Sequence, residues 1–206
     1  MAAADRPNHC RVVLTGGPGG VMTTAADLFG REIGDKVVVV PEAATMLFSG
    51  GFPRVSEPDA AMAAQRAIFH VQRNLEDLQA ARFPGRVLLC DRGTVDGAAY
   101  WPGEPDGFFA AVGTTHADQL ARYDAVIFFE SAAAGGMEVV EGGNRVRDET
   151  IDQARVLDQA LRRLWAPHPR FVLVPHNRSF FKKITYGLAS IEGIVATLAD
   201  ANGDSR

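Results

Sequence analysis

Five short, almost continuously apolar runs punctuate the chain: RVVLT (11–15), KVVVV (36–40), RVLLC (86–90), AVIFF (125–129) and FVLV (171–174). Each is rich in β-branched or aromatic residues and none alternates polar with apolar. That is how strands covered on both faces read. Helical patterns over 22–33, 56–82, 148–165 and 179–200 separate them. Strands alternating with helices need crossover connections, and so a parallel sheet between helical layers. The expected fold is α/β, three layers around a five-stranded parallel sheet. In the longest helix, Ser56 is the expected N-cap and Pro58 lies in the first turn. Ala61, Ala64, Ile68, Val71, Leu75 and Leu78 recur at the spacing of a core-facing stripe. Asp148 is the expected cap of the third helix, and the tail ANGDSR is expected to fray.

No repeat, low-complexity tract or linker divides the 206 residues, so a single domain over 1–206 is expected, with its core at 10–198. In such open sheets, ligands bind at the carboxyl ends of the strands. The residues that follow each strand therefore carry the functional reading.

After the first run comes GGPGGVMTT, residues 16–24. A phosphate-binding loop reads G-x-x-x-x-G-K-[ST]. Counted from Gly16, the second glycine position holds Val21, the lysine position holds Met22, and Thr23 fills the hydroxyl position. Gly16, Gly17, Gly19 and Gly20 still let backbone N–H groups converge on an anion, with the positive end of the next helix behind them. Thr23 retains the hydroxyl that ligates Mg2+. The same glycines would also serve a plain turn. The missing ammonium matters for chemistry. A unit charge about 4 Å from a phosphoryl oxygen is worth roughly 4 kcal/mol at an effective dielectric near 20, about a thousandfold in rate if felt only in the transition state.

After the second run, Glu42 stands in PEAAT, placed to take a proton from a substrate hydroxyl. LFSGGFPR (47–54) reads as a loop that closes over a ligand or merely connects. DRGTVDGAAYW (91–101) follows the third run. Asp91, directly after a buried strand, is placed to hold Mg2+, Arg92 to grip a transferring phosphate, and Asp96 is a second nearby carboxylate. Tyr100 and Trp101 line an acceptor pocket or simply pack. After the fourth run, ESAAAGGMEVVEGGNRVRDE (130–149) reads as a flap whose Arg145 and Arg147 would neutralise phosphate charge from above. After the fifth, PHNRSFFKK places Asn177 or Arg178 against a nucleotide base.

Composition removes other classes. A net charge of −4, a pI near 5.7 and no polybasic face do not suit a nucleic-acid groove. No run of about 20 apolar residues would span a membrane. The opening MAAADRPNHC has no signal-peptide core, and Ala2 stands where N-myristoylation needs glycine. Cys10 and Cys90, the only cysteines, abut strand-like runs and read as reduced thiols, which fits a cytoplasmic setting. His70, His116, His168 and His176 carry no metal-ligand spacing and are expected to pack or be solvated.

Taken together, VVLTGGPGG…TT, VVVVPEAAT, LLCDRGTVDGAAYW, IFFES, NRVRDET and FVLVPHN resemble, in order and over residues 10–198, the single-domain P-loop "AAA family ATPase" group of bacterial ATP-binding proteins. They are similar to the nucleotide-binding module of the TRP-like channel translocation defect protein, a group akin to the nicotinamide riboside kinase domain and the deoxynucleoside kinases. The resemblance implies a nucleoside/nucleotide-kinase-like P-loop NTPase fold with a lid segment, and ATP or GTP with Mg2+ in the crevice. It matches Gly16, Gly17, Pro18, Gly19, Gly20, Val21, Met22, Thr23 and Thr24 to the phosphate loop. It matches Glu42 to the base, Asp91 and Arg92 to an acid–arginine pair, and Arg145 and Arg147 to lid arginines. Gln65 and Gln72 lie on the helix that lines the acceptor pocket in those kinases. Val21 and Met22 depart from the Gly-Lys of the group. Three functions follow as expectations: a small-molecule kinase, a nucleotide-binding switch that lacks catalysis and is read by a protein partner, or a nucleotide-free α/β interaction domain.

Overall fold

A computed structural model of the chain describes residues 10–18, 21–133 and 151–203. The chain runs through strand β1 (Arg11–Gly16), helix α1 (Val21–Ile33), β2 (Val37–Val40), α2 (Ala43–Ser49), α3 (Pro58–Arg82), β3 (Val87–Asp91), α4 (Pro105–Ala111), α5 (His116–Leu120), β4 (Ala125–Phe129), α6 (Ile151–Trp165), β5 (Phe171–Val174) and α7 (Phe180–Gly203). Short 3-10 turns at Gly34–Lys36 and Asp96–Tyr100 complete the described elements. All five expected strands are present and parallel, in the order β2-β3-β1-β4-β5. The strand order reverses at β1. The chain steps from it towards β2 and β3 on one side and β4 and β5 on the other, which opens a crevice at its carboxyl end.

The runs of β1, β3 and β4 are buried on both faces because alternate residues feed two cores, whereas the edge strands β2 and β5 are in part half-buried. Val12, Leu14, Leu89, Ile127 and Phe129 pack with Ala26 and Phe29 of α1 and Ile184 and Ile191 of α7. Val13, Leu88, Cys90 and Val126 pack on the other side with Phe69 of α3, Phe108 of α4 and Trp165 of α6. The two cysteines form no disulfide with each other; Cys90 is buried and Cys10 half-buried.

Four local readings differ from the sequence pattern. Helix α3 begins at Pro58 behind Glu57, with no side-chain cap, so Ser56 is not its N-cap. Its buried side is Ala64, Phe69, Gln72, Glu76 and Ala80, whereas Leu78 is 51% exposed. The stripe is rotated because two polar residues are buried by partners that lie far away in sequence. Glu76 accepts from Arg122 Nη2 at 2.7 Å and Tyr123 Oη at 2.8 Å, with Arg11 Nε at 3.6 Å. The segment 47–54 is helical as far as Ser49, and helix α7 continues to Gly203, so the tail is ordered as helix over 201–203. Asp148 lies outside the described residues. Two histidines pack as expected: His116 Nε2 meets the Leu164 carbonyl at 2.8 Å and His168 Nε2 the Tyr123 carbonyl at 2.9 Å. Among the described residues no helix is long and apolar enough to cross a membrane.

Candidate functional site

The loop that follows β1 starts where backbone approach is closest. Gly16 lies opposite Phe129 in the sheet, at φ +151°, and a Cβ there would sit 2.1 Å from the Phe129 carbonyl oxygen. Gly17 is equally constrained: a Cβ would meet Asp158 Oδ1 at 2.4 Å. Only glycine fits either position. The Gly17 N–H donates to Asp158 Oδ1 at 3.2 Å, and the same oxygen accepts the Ser131 N–H at 2.8 Å. Helix α1 then begins at Val21, with its positive end at the loop. Gly19 and Gly20 lie outside the described residues, as do the side chains of Val21, Met22 and Thr23. Pro18 is buried and Thr24 is exposed.

Arg92 is the hub of the neighbouring strand end. It is 5% exposed and holds φ +71°, a left-handed conformation that costs a non-glycine residue about 1–3 kcal/mol. That backbone turn sends the side chain back over the sheet. Nη1 donates to the Gly16 carbonyl and lies 3.3 Å from Asp96 Oδ2, while Nε lies 3.6 Å from Glu42 Oε1. Nη2 is buried with no hydrogen-bond partner among the described residues. Burial by itself would lower the pKa of Arg92, but Tyr100, Asp96, Glu42 and Asp91 outweigh it and hold it above its ordinary value. Asp96 is anchored in turn. Oδ2 accepts from Thr15 Oγ1 at 2.8 Å, and Oδ1 from Trp165 Nε1 at 2.6 Å. Burial raises its pKa above the usual carboxylate value, against the pull of Arg92, Trp165 and Thr15.

Glu42 stands at the carboxyl end of β2, where Oε2 accepts from Thr45 Oγ1 at 2.5 Å. Gln72 ties this corner to Arg92: Oε1 accepts the Ala43 N–H at 3.1 Å and Nε2 donates to the Arg92 carbonyl at 3.3 Å. Glu42, Arg92 and Asp96 line a cavity of about 170 Å3 together with Phe48, Ile68, Phe69, Phe108, Gln65 and Tyr100. Trp101 does not line it; its ring packs edge-on against Phe108 at 5.6 Å.

Asp91, the last residue of β3, is 2% exposed and shares a smaller cleft of about 100 Å3 with Glu42, Asp27 and Ala26. Among the described residues no group of three or more His, Cys, Asp or Glu could hold a metal. Mg2+ takes one or two protein carboxylates and fills its octahedron with water and phosphate oxygens, so a single buried acid such as Asp91 is compatible with it.

On the far flank, Lys183 of α7 donates to the Glu130 carbonyl at 2.6 Å. The N–H of that same peptide unit, on Ser131, is the one bound by Asp158. Burial lowers the Lys183 pKa to about 8, with Asp158 and Glu130 opposing. Asn177 is exposed, and its Oδ1 accepts the Ser179 N–H at 2.9 Å, shaping the turn into α7. Arg145 and Arg147 lie outside the described residues.

Sequence reasoning missed Asp158, Thr15 and Trp165, and it missed that Gln72 is spent on backbone groups. A carboxylate inside the apolar stripe of α6, between Ala154 and Leu161, was the one readable signal for Asp158.

The sequence profile of a family described as "AAA domain" matches residues 11–179. Among curated proteins none matches the chain. A solved structure with the same fold is the NadR protein in complex with NAD and AMP-PNP, at a TM-score of 0.63 and 12% sequence identity. The likeness covers 93% of this chain and 51% of that one, so this chain spans about half the length of that structure.

Proposed function

This chain belongs to the AAA domain family, whose P-loop nucleotide-binding fold it carries, and we propose that it binds ATP or GTP with Mg2+ and passes the γ-phosphoryl group to a hydroxyl of a small-molecule acceptor. The chain acts as one P-loop domain with its core at 10–198. The observation that carries the reading is the partly enclosed cavity lined by Glu42, Arg92 and Asp96 at the strand ends next to Gly16. A hydrolase needs only water there; a walled cavity has room for a second substrate.

In this reading the amides of residues 16–24 and the start of α1 hold the phosphates, and Asn177 lies by the base. Glu42 takes the proton of the acceptor hydroxyl as its oxygen bonds to the γ-phosphorus. The bond from that phosphorus to the β–γ bridging oxygen breaks, and the nucleoside diphosphate leaves. Arg92 presents its unpartnered Nη2 to the transferring oxygens, held in place by Gly16, Asp96 and Glu42. Arg145 and Arg147 close from the lid. Thr23 and Asp91 would hold Mg2+, which neutralises developing charge on the phosphates.

Met22 favours a second reading, a nucleotide-binding switch without turnover, read by a protein partner. Labelled ATP offered with a panel of hydroxyl metabolites, to the wild type and to Met22→Lys, separates the two. The kinase reading expects label on an acceptor with at least the lysine variant. Calorimetric binding of a non-hydrolysable ATP analogue with no label transfer from either protein supports the switch instead. No binding of any nucleotide removes both readings and leaves an interaction domain.

A further inference from the structure

The cavity beyond Arg92 has the size of one ring and a cation standing at its mouth. Its inner end is closed by Phe69, Phe108, Arg92 and Asp96, each 6% exposed or less. Its outer end is formed by half-buried Phe48 and Ile68 and by exposed Arg54. Arg54 and Tyr100 also line a second, open groove of about 770 Å3 that runs along Asp152, Val156 and Leu157 of α6. These two residues therefore stand where the cavity opens towards solvent. The Arg54 guanidinium carbon lies 4.1 Å from the centroid of the Phe48 ring. Among the described residues no carboxylate pairs with Arg54, in contrast to Arg11, Arg92 and Arg122, which all sit in ion pairs. A guanidinium resting face-on against a ring keeps its N–H edge available, and that edge matches a carboxylate or phosphate. A dry apolar cavity of about 150 Å3 accommodates benzene, so about 170 Å3 with aromatic walls suits a single substituted ring.

We infer that the acceptor has one flat ring carrying the hydroxyl to be phosphorylated and, away from it, an anionic carboxylate or phosphate group that Arg54 holds at the cavity mouth. The assignment rests on the kinase reading above. The orientation follows from charge. At the inner end Arg92 is already paired with Glu42 and Asp96 and is committed to the transferring phosphoryl group, whereas at the mouth Arg54 has no carboxylate partner among the described residues. Gln65 lines the same cavity with no hydrogen-bond partner among the described residues, and offers its amide N–H donors and carbonyl acceptor to the ring edge.

The test uses the full chain and four probes: benzyl alcohol, 4-(hydroxymethyl)benzoate, 4-(hydroxymethyl)phenyl phosphate and 4-(aminomethyl)benzyl alcohol. Their dissociation constants are read by ligand-observed NMR for the wild type, Arg54→Gln and Arg54→Glu. The expected result is that at least one anionic probe binds the wild type about tenfold or more tightly than benzyl alcohol, as a charge-assisted hydrogen bond gives. Which anion leads identifies a carboxylate or a phosphate acceptor. Arg54→Gln removes the preference, and Arg54→Glu turns it towards the amine. Equal affinities in the wild type, a preference that survives in Arg54→Gln, or no saturable binding of any probe each overturn the inference. Nucleotide affinity, measured by calorimetry on the same three proteins, is expected to stay constant. Its absence in the wild type would sink the kinase reading itself, whereas its presence alongside failed probe discrimination sinks only the acceptor assignment.

Discussion

The carboxylate of Asp158 binds the backbone N–H of Gly17 at 3.2 Å, so helix α6 grips the first turn of the phosphate loop across the top of the sheet. The second N–H on the same oxygen, that of Ser131 at 2.8 Å, adds the segment just after β4 to the clamp. Asp158 is 2% exposed, so removing it strands two buried donors. Each stranded donor costs about 1–3 kcal/mol. Asp158→Ala is expected to lose roughly 2–4 kcal/mol in urea unfolding, and Asp158→Asn, whose amide oxygen still accepts, to recover most of it. A loss below about 0.5 kcal/mol in the alanine variant would mean that the clamp is not energetically coupled to folding.

Glu42→Gln tests the proposed proton acceptor. The amide keeps the shape and the Thr45 contact but cannot take a proton. A drop in kcat of about a hundred- to ten-thousand-fold with nucleotide affinity unchanged is the expected outcome. Unaltered kcat would move the base elsewhere.

Met22→Lys restores the ammonium that the loop lacks. By the Coulomb estimate the phosphoryl-transfer rate rises by as much as roughly a thousandfold. Single-turnover kinetics would show the gain directly. A variant that binds nucleotide yet transfers no faster than wild type would show that a cation in place, such as Arg92, already supplies the charge.

Lys183 carries a pH signature. Its folded pKa of about 8 lies below the ordinary lysine value of 10.5, so between those values the unfolded chain binds more protons than the folded one. Its contribution to stability is therefore complete above the unfolded value and lost as pH falls through about 8. Measured against Lys183→Met, the wild type should gain up to roughly 3 kcal/mol between those limits. Parallel stability curves for the two proteins would refute the burial argument.

Glu76 is fully buried among Arg11, Arg122 and Tyr123, and it sets the inward face of α3. Glu76→Ala leaves two cations without their partner inside the protein, and a loss of about 3–5 kcal/mol in urea unfolding is expected. A variant as stable as wild type would show that water or Asp77 replaces the carboxylate at no cost.

The sequence by itself determined the sheet. Strand-length apolar runs without alternation can only be covered on both faces, and the intervening helical periods leave no route but parallel crossovers. That is why Ala125–Phe129 and Phe171–Val174 fall where the pattern put them, and why Gly16, Glu42 and Asp91 lie at strand ends. Tertiary structure alone decided the partners. Arg92 reaches Gly16, 76 positions away, and Asp158 reaches Gly17 across 141 positions. No local spacing encodes such distances. The same holds for the face of α3, where hydrophobic counting chose Leu78 but the charges of Arg11 and Arg122 drew Glu76 inward instead. Local periodicity fixes which residues can form an element. Which of its polar groups go inside depends on whether a distant partner arrives to satisfy them, and that is settled only when the layers close.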